Sequence, residues 1–100
     1  VSHGEGKTYN GSASLVNKND KLVTMRYVDN KNKITEDYPA NPNGSPGGAT
    51  AYTTKDGRFN IMMPHPERLF KAFQYSWHPA NWKDVGAWLK IFHNARNWVA

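Results

Sequence analysis

The chain has 100 residues, enough for one small domain, and 13% of them are aromatic, four of these tryptophan, so a core can be built. It contains no cysteine, which excludes a disulfide framework and a thiolate metal site and favours a reducing, cytoplasmic compartment. The formal net charge of +5 is scattered, with no block of about five like charges, so a solvated basic surface explains it better than nucleic-acid binding. No run approaches the ~18 apolar residues of a membrane span and no charged-then-apolar segment is read in these residues, so a soluble protein is expected. The sequence opens on Val1 and leads at once into a motif, which reads as a piece of a longer chain.

Leu22 to Val28 (LVTMRYV) is β-branched and apolar and predicts a strand. "DNKNK", 29–33, is turn-rich and leads to a short extended segment, Ile34 to Tyr38. "PANPNGSPGG", 39–48, holds three prolines and three glycines in ten positions and cannot continue a ladder, so it predicts a loop. Ala49 to Thr54 and Arg58 to Met63 are extended runs joined through Asp56-Gly57, a hairpin signal. The second run ends at Pro64. His65 precedes Pro66 and is pushed out of the helical region. Pro66 then suits the first turn of a helix to about Phe73, with Leu69, Phe70 and Phe73 on one face. A second helix is predicted over Asp84 to Trp98, with Val85, Trp88, Leu89, Phe92 and Ala95 facing the core.

Two clusters could carry chemistry. In "MMPHPERLF", 62–70, His65 and Glu67 stand two apart, and in an extended segment such positions point the same way. A carboxylate on one ring nitrogen fixes the tautomer and frees the other nitrogen to act as a base. On spacing alone, a surface pair at a helix start is the commoner explanation. In "SHGEG", 2–6, Gly4 and Gly6 allow close backbone approach to a ligand, and His3 and Glu5 are again two apart. His3, Glu5, His65 and Glu67 could together offer four metal ligands, but nothing fixes the distance between the pairs, and no metal site is expected. A serine nucleophile is disfavoured. Ser45 lacks the strand–turn–helix setting of a G-x-S-x-G elbow, and Ser2 has a histidine neighbour but no orienting group.

"VSHGEG", "RYVDN", "YPANPNGSPGG", "GRFNIMMPHPER", "SWHP" and "FHNARNW" occur in that order. Together they resemble the C-terminal end of the phosphoribosylformylglycinamidine synthase family, in its large, glutamine-dependent form. The resemblance implies an α/β fold, the C-terminal portion of a class I glutamine amidotransferase-like (flavodoxin-like) domain with a β-hairpin and C-terminal helices. Residues 1–100 would be an incomplete piece of that domain. In such domains a cysteine attacks the side-chain amide of glutamine, ammonia leaves, and water releases glutamate. The ammonia then serves an ATP-dependent step of purine biosynthesis, the conversion of formylglycinamide ribonucleotide to the amidine.

By the same resemblance, His65 and Glu67 match the H-x-E motif as proton shuttle and orienting carboxylate. Ser2, His3, Gly4 and Glu5 match a segment that holds glutamine through backbone groups. The cysteine is expected upstream of Val1, and ATP and Mg belong to a separate synthetase domain, so this chain binds no cofactor of its own. Its partners would be glutamine and the remainder of the parent polypeptide, with neither nucleic acid nor membrane. The parent would be a carbon–nitrogen ligase, and this chain alone is expected to be inactive. Two other classes compete: a small basic module binding single-stranded nucleic acid through its aromatics, and a metal-dependent hydrolase built on the two His-x-Glu pairs.

Overall fold

A computed structural model describes residues 6–7 and 21–100. They fall into two compact units, one ending at Pro64 and one running from His65 to Ala100. Ser2, His3, Gly4 and Glu5 lie outside the described residues. The fold class is α/β, as predicted: a three-stranded antiparallel sheet followed by a C-terminal helix.

The sheet comprises β1 (Val23–Arg26), β2 (Ala49–Thr53) and β3 (Asn60–Met62), in that spatial order. β2 pairs with β3 in regular register, Tyr52 opposite Ile61, whereas the β1–β2 ladder is interrupted by register shifts on either side of Met25. Along the central strand Ala49, Thr50 and Ala51 are all buried. Successive strand residues face opposite sides, so the sheet is covered on both faces at that point. The predicted hairpin forms, with shorter arms than the sequence suggests. Thr54 and Asp56 capture the amides of Phe59 and Arg58, which therefore belong to the turn. The Thr54 hydroxyl also donates to Asp56 and, with the Arg58 amide, holds that carboxyl below its ordinary range.

The predicted loop, 39–48, is well buried at Asn41, Ser45, Gly47 and Gly48. Asn41 and Ser45 are almost wholly enclosed. The Asn41 amide group donates to the carbonyls of Thr35 (3.1 Å) and Ser45 (3.0 Å), while its oxygen accepts the Ser45 amide (3.1 Å). Glu36 accepts the Gly47 amide at 2.6 Å, and Arg26 donates to the Gly47 carbonyl at 2.7 Å. Buried polar groups are tolerated only when they are paired, and here side chains supply what a sheet ladder would. Gly48 adopts φ +66°, and a Cβ there would stand 3.0 Å from the Tyr27 carbonyl and 3.1 Å from that of Thr35. Only glycine accepts both the backbone region and the crowding.

The second unit departs from the predicted helices. Instead of a helix to Phe73, Pro66–Arg68 form a single 3-10 turn, and Leu69 leaves it at φ −136°. Residues 70–72 then pair with 84–86: Gly86 donates to the Phe70 carbonyl (2.8 Å), Ala72 donates to that of Asp84 (3.1 Å), and Lys71 bridges Val85. This small ladder occupies both segments, so Leu69, Phe70 and Phe73 share no helical face and the C-terminal helix starts later than predicted. That helix, α1, spans Leu89–Val99. None of its residues is buried. Phe92 and Ala95 are exposed rather than core-facing, Val85 lies outside the helix and is exposed, and Trp88 and Leu89 are half-buried.

Candidate functional site

His65 is held by its two neighbours. Pro64 is buried, and Pro66 keeps the preceding residue extended, at φ −99° and ψ 92°. The chain then turns sharply, the Arg68 amide donating to the His65 carbonyl (3.1 Å) and that of Leu69 to the Pro66 carbonyl (3.1 Å). This turn carries Glu67 back to the imidazole, where Oε1 lies 2.9 Å from Nδ1. An ionised carboxylate can only accept, so Nδ1 carries the hydrogen and Nε2 keeps its lone pair in the neutral ring. Glu67's pKa lies below the ordinary glutamate value, first because its own backbone amide bonds to the carboxylate, then because His65 does. The pair is open to solvent, with 40% of the His65 side chain and 59% of the Glu67 side chain accessible. Chemically it is an ionised carboxylate orienting an accessible imidazole.

Ser45 has no such setting. Its side chain is buried, and its hydroxyl donates to Asn43 Oδ1 at 2.7 Å, a loop-closing role. Among the described residues no group of three or more His, Cys, Asp or Glu could hold a metal, while His3 and Glu5 lie outside those residues. No helix among the described residues is long and apolar enough to cross a membrane.

The end of the other sequence cluster is described, and it meets the predicted loop. The Asn43 amide group donates to the Gly6 carbonyl at 2.5 Å. A Cβ on Gly6 would fall 2.2 Å from the terminal methyl of Met63, so the two residues are packed as closely as a glycine permits. Sequence reasoning did not single out Asn43. Its signal was the Asn-Pro-Asn-Gly run, which marks a turn and does not reveal a contact 37 residues away.

A carboxylate-oriented histidine on an α/β scaffold is compatible with a class I glutamine amidotransferase domain, and comparison with known families agrees. The chain belongs to the family of CobB/CobQ-like glutamine amidotransferase domains, whose family model matches residues 1–99.

Proposed function

We propose that this chain is the C-terminal part of the glutaminase domain of a phosphoribosylformylglycinamidine synthase of the large type, a cytoplasmic ligase of purine biosynthesis. The observation that carries this reading is the 2.9 Å contact from His65 Nδ1 to Glu67, between two prolines that fix the ring's approach. The family match supports the glutaminase half of the reading and lends nothing to a nucleic-acid-binding module. The order of the six motifs in the sequence supports the particular synthase.

On this reading His65 Nε2 takes the proton of a cysteine thiol supplied from upstream of Val1. The thiolate attacks the side-chain carbonyl carbon of glutamine and forms a tetrahedral intermediate. As the intermediate collapses, the carbon–nitrogen bond breaks, and the imidazolium delivers its proton to the departing nitrogen, giving ammonia and a thioester. His65 then takes a proton from water, hydroxide adds to the thioester, and glutamate and the thiol are regenerated. Glu67, kept ionised, stabilises the imidazolium at each protonated stage. Ser2, His3, Gly4 and Glu5 supply backbone groups that hold the glutamine. ATP and Mg act in the synthetase domain, where ammonia is consumed, and the 100-residue chain by itself is inactive.

The test is His65→Ala in the intact enzyme, assayed with glutamine and with ammonium salts side by side. Glutamine-dependent synthesis should fall by about three orders of magnitude or more, while synthesis from ammonium persists. Equal loss with both nitrogen sources in a folded protein, or no loss with either, would remove His65 from the glutaminase.

A further inference from the structure

We infer that Gly86 is a positioning residue for the His65–Glu67 pair, acting through the backbone of Leu69 and Phe70 and through the start of α1. The inference rests on the glutaminase reading above and adds to it a residue outside the H-x-E motif. The pair and Gly86 lie in the same unit. The turn that carries Glu67 to the imidazole ends at Leu69, whose amide donates to the Pro66 carbonyl (3.1 Å). Directly beyond it, the buried Gly86 donates its amide to the Phe70 carbonyl (2.8 Å). The Leu69 and Lys71 carbonyl oxygens stand 2.8 and 3.2 Å from the place a Cβ on Gly86 would occupy. The Gly86 carbonyl in turn accepts the amide of Leu89 (3.2 Å), the first residue of α1, and α1 contacts the Pro66–Arg68 turn. One residue thus sets both the segment by which the chain leaves the turn and the helix that meets it.

A side chain at 86 forces movement, because the atom in its way belongs to the backbone. The Leu69 carbonyl can retreat only with its peptide plane, and the amide of the same residue closes the turn. With the Lys71 carbonyl and the Tyr75 ring (2.7 Å) also in contact, the response is a shift of the 69–71 segment that carries the end of the turn with it.

The pair is sensitive to such a shift. It stands in solvent, so the backbone turn, and not packing around the side chains, brings Glu67 Oε1 to His65 Nδ1. Misplacing a reacting group by about 1 Å can cost up to about a hundredfold in rate. The two foremost causes that lower the Glu67 pKa, its own backbone amide and His65, depend on the shape of the same turn.

The test compares Gly86→Ala with Ala72→Gly. Ala72 is buried beside the same small ladder, with its amide on the Asp84 carbonyl, so losing its methyl loosens the ladder without adding an atom beside Leu69. In the intact enzyme Gly86→Ala should lower kcat with glutamine about tenfold, with KM for glutamine within about twofold and synthesis from ammonium unchanged. In the 100-residue chain the Glu67 titration midpoint, followed by its carboxyl carbon shift, should rise toward the ordinary glutamate value. Ala72→Gly should keep kcat within about twofold and leave the midpoint in place. Should Gly86→Ala not fold, adding Tyr75→Leu removes the ring contact and keeps the carbonyl contact, and the same readings decide. An unmoved midpoint or an unmoved kcat in the folded Gly86 variant overturns the inference. Equal effects in Ala72→Gly also overturn it, making Gly86 merely part of the ladder. His65→Ala in the same preparation separates the two levels. If it retains glutamine-dependent synthesis, the glutaminase reading itself fails. If it loses that synthesis and Gly86→Ala keeps its kcat, only the role given to Gly86 fails.

Discussion

Residues 41–51 and residues 89–99 have the same length and opposite fates. The first stretch is rich in asparagine, glycine, serine and alanine, and Asn41, Ser45, Ala49 and Ala51 are all at 1% exposure or less. The second carries isoleucine, phenylalanine, tryptophan and valine, yet no residue of it is buried, and Trp98 is 75% exposed. Hydropathy would have ranked them the other way. The difference lies in where each finds its partners. Asn41 and Asn43 close their own loop, and small side chains let the β1 and β2 backbones come together, so burial is achieved within one unit. Within its own unit α1 meets the short Pro66–Arg68 turn, which leaves Leu89 and Ile91 only half-buried, while the segments 70–72 and 84–86 are occupied with their own ladder.

The comparison can be broken most directly at Asn41. Asn41→Ala removes three hydrogen bonds, two of them buried, and strands the Thr35 carbonyl, while the Ser45 carbonyl keeps the Gly48 amide. It should destabilise the unit by about 3 kcal/mol, read from the shift of its denaturant midpoint at constant slope. Gly86→Ala tests the ladder. A Cβ there would lie 2.8 Å from the Leu69 carbonyl oxygen and 2.7 Å from the Tyr75 ring, and the bond from Gly86 to Phe70 must open to relieve it. A loss of roughly 2 kcal/mol is expected, with faster amide exchange at Gly86 and Ala72 as the local signature. In α1 the expectation reverses. Trp98→Ala should change the stability of the 100-residue chain by less than about 0.5 kcal/mol, because the indole is already in water. A larger loss for Trp98→Ala in a longer parent polypeptide would identify the helix as a face covered there.

The smallest effect is in the exposed pair. Glu67's folded pKa lies below its unfolded value, so the pair's contribution is present above the unfolded pKa and disappears as pH falls through the folded one. Titration followed by the Glu67 carboxyl carbon shift should show a midpoint below the ordinary glutamate value. His65→Ala should move it back part of the way, because the residue's own backbone amide is the first cause.

What could be read from the sequence follows the range of the interactions. The 49–53/60–62 hairpin was legible because Asp56-Gly57 decides it locally, and the extended His65 was legible because two prolines flank it. The helix expected from Pro66 failed because Gly86 accepts close approach by the Leu69 and Lys71 carbonyls, and nothing near Pro66 announces that pairing. The same glycine, inside a run with helical periodicity, was the available hint that the second helix begins later. The geometry of His65 with Glu67 was visible at a spacing of two, whereas the bond from Asn43 to Gly6 joins segments that share no pattern.

All four tryptophans, at positions 77, 82, 88 and 98, lie after His65. The unit ending at Pro64 therefore has no indole. Selective excitation of indole makes the molecule its own half-reporter. Such light follows the edge-on contact of Tyr75 with Trp82 and the stacking of His78 on the same indole. Two unfolding curves recorded on one sample, one from indole emission and one from backbone dichroism, would superimpose only if the halves melt as a single cooperative body.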